Sequence, residues 1–149
     1  MKHDIIILLG ILLIGCQSQS QQSDSEADDL LYEQYWQFQE SMLFGMGYED
    51  TAIESLFKSA EAGYAESQSQ LGGCYAYRPD LIKREGADID SAVIWWLRAA
   101  EQDEWMAQRD LAYYYADIQD WKQAEFWLKR AKKNGYKDKE LQKQIRRNL

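Results

Sequence analysis

Histidine occurs once in the 149 residues, at position 3, proline once and cysteine twice. Beyond His3 there is no imidazole, so catalytic triads built on it and histidine metal sites are excluded. Valine and threonine are scarce, which argues against a sheet, while Ala, Glu, Gln, Lys and Leu argue for helices. No glycine-rich loop follows a strand and no Walker-type lysine is present. Long hydrophobic runs are missing too. The longest, Ile5 to Ile14, is about half of what a bilayer-spanning helix needs. It reads as the hydrophobic region of an export signal that is absent from the mature chain.

Cys16 closes that run and a polar one opens at Gln17-Ser18-Gln19-Ser20. The order Leu13-Ile14-Gly15-Cys16 resembles the lipobox of bacterial lipoproteins. The resemblance implies cleavage between Gly15 and Cys16 and a diacylglycerol thioether on Cys16. It also implies a lipid-anchored place in the cell envelope. Gln17, where an aspartate would favour inner-membrane retention, points to the periplasmic face of the outer membrane in a Gram-negative cell. The expected organisation is a signal peptide at 1–15, a lipidated cysteine and solvated tether at 16–29, and one domain at 30–149. With Cys16 acylated, Cys74 is the only thiol left, so no intramolecular disulfide forms and packing must supply the stability.

The formal charge is −8, unevenly placed. From Asp120 onward ten Lys/Arg stand against four Asp/Glu, so this end carries +6 and residues 1–119 carry −14. The basic end suits anionic headgroups or an acidic partner; a solvated terminal helix would have the same composition.

Residues 52–76 and 92–116 share their landmarks forty positions apart. Ala52, Ala60, Glu61, Gln68, Leu71, Tyr75 and Ala76 become Ala92, Ala100, Glu101, Gln108, Leu111, Tyr115 and Ala116. Thirty-two residues further, Ala124, Trp127, Arg130 and Ala131 repeat Ala92, Trp95, Arg98 and Ala99. Each copy has the apolar spacing of two short helices joined by a tight turn, with Asp90 or Ser91 available to cap a start. Gly63 and Gly135 suit left-handed helix ends, and Asp103 tolerates that conformation. Helices are expected near 29–45, 49–62, 65–77, 89–102, 105–117, 120–133 and 138–148. Trp95, Trp127, Tyr75 and Tyr115 are expected in the core.

The order Ala-x-x-Trp-aromatic-x-basic-Ala-Ala-Glu, turn, Ala-Gln-x-x-Leu-small-x-x-Tyr at 92–115 resembles the Sel-1-like repeat, a tetratricopeptide-like hairpin. Residues 52–75 follow the pattern with Ser55 and Ser67 as departures, and 124–135 give half a unit. The resemblance implies an all-α, right-handed α-α superhelix of about seven helices. Paired hairpins cannot bury their apolar faces alone, so they stack.

The carboxylate pairs Asp88 with Asp90 and Asp103 with Glu104 are explained by helix capping, and Cys74 by burial. In tetratricopeptide-like units one helix lines a concave face, and the matching positions include Glu66, Ser69, Gly73 and Tyr77, then Met106, Arg109, Tyr113 and Asp117. This set suits an extended peptide or a partner helix. The expected function is a lipid-anchored, non-catalytic protein-interaction scaffold with a protein or peptide partner, no cofactor, no metal and no nucleic acid. Two other readings follow from the same residues. Some exported cysteine-rich relatives in the resembling family are hydrolases of β-lactams or peptidoglycan fragments, although their paired cysteines are missing here. An acidic body could also act as an immunity protein covering the basic site of a toxin or lytic enzyme.

Overall fold

A computed structural model of the chain describes residues 50–149. The expected signal peptide with Gly15 and Cys16, the expected tether and the helix expected near 29–45 lie outside the described residues. The described residues are all-helical, without strands: α1 (Asp50–Glu61), α2 (Ala65–Tyr77), α3 (Ile89–Glu101), α4 (Trp105–Asp117), α5 (Trp121–Lys133) and α6 (Lys139–Asn148). A short 3-10 turn at Pro79–Ile82 was not expected from the sequence; it tucks Leu81 against Cys74 and Leu71. None of these helices is long and apolar enough to cross a membrane.

Each boundary has a local cause. Four helices end on a residue with positive φ: Gly63 (106°), Asp103 (65°), Gln119 (63°) and Gly135 (95°). At each end two backbone N–H groups reach back to carbonyls left free by the last turn. Gly63 N–H donates to the Ala60 carbonyl at 3.1 Å and Tyr64 N–H to that of Ser59 at 3.1 Å. The same pair of bonds recurs at Asp103 with Glu104, Gln119 with Asp120, and Gly135 with Tyr136. Carboxylates cap the starts of α3 to α6: Asp88, Glu104, Asp120 and Asp138 accept from backbone N–H groups two or three residues on. The cap of α3 is therefore Asp88 rather than Asp90 or Ser91. The helix begins at Ile89, so those two residues already lie in its first turn, and Asp88 accepts from Ser91 N–H at 3.0 Å.

Helices adjacent in sequence pack on one another, and the closest pairs are α2 with α3 and α4 with α5. These pairs are one helix out of step with the copies at 52–76 and 92–116. The reason is the small residue in each contact. Gly72 faces Trp96 so closely that a Cβ at position 72 would lie 2.5 Å from Trp96 Cδ1 and 3.1 Å from the Ala92 carbonyl. One core runs from Ala76 through Trp96, Leu111 and Trp127 to Leu141 and Ile145, drawing on α2 to α6. A second, around Leu56, Ala60, Leu71, Cys74 and Leu81, joins α1 to α2, and Tyr75 packs against both.

The aromatic landmarks need correction. Trp127 is buried, but Trp95, Tyr75 and Tyr115 are only partly so, and the tryptophan at the centre is Trp96, at 1% exposure. Trp95 lies at the edge of the second core, with the Arg98 guanidinium 4.6 Å from its ring centroid. Trp96 takes the space that Gly72 leaves.

Buried amides link successive helices. Gln68 Nε2 donates to the Ala60 carbonyl at 3.0 Å, and forty residues on Gln108 Nε2 donates to that of Ala100 at 3.1 Å. Each Gln also accepts from an amide at the end of a later helix: Gln102 Nε2 to Gln68 Oε1 at 2.9 Å and Asn134 Nδ2 to Gln108 Oε1 at 3.0 Å. A glutamine has both donors and acceptors, so it satisfies a helix-end carbonyl and a neighbouring cap at once.

Candidate functional site

The latter part of α2 and the first half of α4 lie side by side, and the chain leaving α2 folds back through the 3-10 turn. Between them is an open groove of about 250 Å³. Its walls include Ser69, Gly73 and Tyr77 from α2 and Met106, Arg109 and Asp110 from α4, with Cys74 and Leu81 beneath. Gly73 leaves it open: a Cβ there would meet nothing within 4 Å.

Five of the eight positions expected to meet a partner, Ser69, Gly73, Tyr77, Met106 and Arg109, line this groove. The other three do not. Glu66 is exposed in the first turn of α2 and Asp117 is exposed at the end of α4. Tyr113 turns instead toward the start of α6, where its hydroxyl donates to Asp138 Oδ2. These three lie too far along their helices, or on the wrong side of them, to reach a groove centred on residues 69–77 and 106–110.

Asp110, Gln70 and Leu81 also line the groove and were not expected there. Asp110 is 8% exposed, and its Oδ1 accepts from Arg109 Nε at 2.8 Å. Burial pushes the Asp110 carboxyl above the usual carboxylate range, and the Arg109 guanidinium pulls it back. The hydrogen bond to Asp110 in turn holds the Arg109 proton more firmly. Burial, then the nearby Asp110 carboxylate, raises the Tyr77 hydroxyl above its ordinary value. Gln70 Oε1 is buried at the wall with no hydrogen-bond partner among the described residues. A charged residue flanked by Arg109 and Leu111 gives no sign in sequence of being buried; only the approach of α2 to α4 covers it.

Arg109 continues the site outward. Its guanidinium sits 5.7 Å from the Trp105 ring centroid, and Trp105 stacks on Tyr136 at 5.8 Å with planes 21° apart. The Tyr136 hydroxyl donates to Asp138 Oδ2 at 3.1 Å, the oxygen that Tyr113 also engages. These bonds, with the cap to Leu141 N–H, hold the Asp138 carboxyl below the usual range. Groove and aromatic strip together pair an apolar slot with a cation and half-exposed rings, the composition found at interface anchors.

The groove does not favour nucleophilic chemistry. Burial pushes the Cys74 thiol up to about 11, so it stays protonated at neutral pH. Asp103 is ion-paired to Arg130 at 2.6 Å and Glu104 caps α4, which accounts for that carboxylate pair. No cluster of three or more metal-ligating side chains is found among the described residues.

Comparison with family models, with curated proteins and with solved structures finds no match to this chain.

Proposed function

We propose that the chain is a helical-repeat scaffold of the Sel-1-like kind, held at the cell envelope by a lipid on Cys16, whose groove between α2 and α4 seats a side chain of a protein or peptide partner. The repeat reading is supported by the bonds that recur forty residues apart, Gln68 to Ala60 and Gln108 to Ala100. The successive hairpins would then form a right-handed superhelix, extended by the helix expected near 29–45.

The observation that carries the binding reading is the convergence of Ser69, Gly73, Tyr77, Met106 and Arg109 from two helices on one open groove. At about 250 Å³ it is smaller than the pockets that enclose a whole small ligand, and it suits one anchoring side chain. Gln70 Oε1 at the wall offers an acceptor to a partner N–H, and Arg109 with Trp105 supplies the flanking contact.

Gly73→Phe tests this directly. It adds a ring where a Cβ meets nothing and leaves the core untouched. With the full chain as bait on envelope extract, a specific partner captured by the wild type should be lost with Gly73→Phe and with Met106→Ala plus Arg109→Ala. Undiminished capture by both variants would reject the groove.

A further inference from the structure

As far as Arg130, most cations of the described residues are ion-paired, while Arg98 lies over the Trp95 ring. Lys58 pairs with Glu54, Arg78 with Asp80, Arg84 with Asp88, Arg109 with Asp110 and Arg130 with Asp103. Beyond Arg130 the pattern stops. Lys132, Lys133, Lys137, Lys139, Lys143, Arg146 and Arg147 are all exposed, and none of them makes an ion pair among the described residues. The acids of this end are already engaged or few: Asp120 and Asp138 cap helices, Glu125 pairs with Lys129, and Glu140 stands alone.

The cations are also aligned. On α6, Lys139, Lys143, Arg146 and Arg147 fall within about 100° of arc, opposite the buried Leu141 and Ile145. Where α6 meets α5, a small groove of about 120 Å³ is lined by Leu128 and Ile145, by Lys129, Lys132 and Arg146, and by Gln142 and Glu125, the last paired with Lys129. α6 carries no aromatic residue. A surface of this kind offers charge density and aliphatic stems without the ring anchors that a shaped protein interface uses.

We propose that the outer face of α6, with the adjoining end of α5, is a docking surface for an anionic phospholipid bilayer. Residues 1–119 carry −14 and would be repelled by the same surface, so binding orients the domain with its basic end toward the headgroups and the groove between α2 and α4 away from the closest contact. This surface is separate from that groove and does not depend on the partner reading.

The test is co-sedimentation of the full chain with vesicles of phosphatidylcholine alone and with one-third phosphatidylglycerol. The zwitterionic vesicles report whatever the apolar run at 5–14 contributes. The structure predicts at least a hundredfold stronger binding to the anionic vesicles at low salt, erased by several hundred millimolar salt. Lys143→Glu with Arg146→Glu and Arg147→Glu should reduce it to the zwitterionic level. The milder Lys132→Gln with Lys143→Gln should lose roughly fivefold per charge, while Lys58→Glu on α1 changes nothing. Equal binding to both vesicles, a preference that survives the reversal, or displacement by millimolar inorganic phosphate would overturn the proposal. So would a salt-sensitive capture of an acidic protein by the same residues with no vesicle preference.

Discussion

Two adjacent glycines in α2 should respond to alanine with opposite signs. A Cβ on Gly72 would stand 2.5 Å from Trp96 Cδ1 and 2.6 Å from Nε1, closer than real Cβ contacts allow, while one on Gly73 would meet nothing within 4 Å. Both changes gain about 1 kcal/mol of helix propensity. Gly73→Ala should keep most of that gain. Gly72→Ala must also displace Trp96, which is 1% exposed, or push α3 back from the Ala92 carbonyl 3.1 Å away. Overpacking of this kind costs roughly 1–3 kcal/mol, and more where a ring has nowhere to turn. The net effect is a loss of up to about 2 kcal/mol against a gain of about 0.5–1 kcal/mol one residue later. At the matching contact of α4 with α5, Ala112 and Leu128 stand where Gly72 and Trp96 do. Gly72→Ala combined with Trp96→Leu should therefore be less destabilised than the two single changes summed, by about 1 kcal/mol or more. Urea unfolding of the full chain, followed by far-UV circular dichroism, measures all four members of the cycle. A stabilised Gly72→Ala, or strict additivity with Trp96→Leu, would refute the close contact between α2 and α3.

Gln108→Ala removes one of the two donors to the Ala100 carbonyl and one of the two acceptors of the Asn134 amide, and should cost about 1–2 kcal/mol in urea unfolding, with Gln68→Ala in the same range. Gln119 holds φ 63° at the end of α4, so Gln119→Gly should raise the free energy of urea unfolding by about 0.5 kcal/mol, strain relief exceeding the added chain entropy. Asp103→Gly should gain less, because it gives up the ion pair to Arg130. The Asp138 carboxyl is depressed in the folded state, so its contribution is present above the ordinary carboxylate range and is lost as pH falls through it. Acid titration of the urea midpoint should accordingly be steeper below about pH 4 for the wild type than for Asp138→Asn; parallel curves would show that the bonds of Tyr113 and Tyr136 to Asp138 do not stabilise the fold.

The start and stop of each described helix were legible in the chain because their causes are local. Gly63 and Gly135 supply positive φ, Asp103 tolerates it, and acids stand before α3 to α6. Only the cap of α3 was misplaced, by one turn at most, because Asp88, Asp90 and Ser91 are all capping residues and the choice depends on where the preceding segment lets the helix begin. The groove was half legible. Helical spacing put Ser69, Tyr77, Met106 and Arg109 on facing surfaces, but the same spacing extended the face to Glu66, Tyr113 and Asp117, which the helix ends carry elsewhere.

By itself the sequence determined helix against strand, the boundaries of six helices and the charge asymmetry of the two ends, since each depends on residues within one or two turns of one another. Tertiary structure alone decided that Trp96 rather than Trp95 fills the core, that Asp110 is buried beside Arg109, and that Trp105 stacks on Tyr136. Those outcomes depend on how closely two helices approach and at what rotation, and a single missing Cβ at Gly72 sets that for α2 and α3.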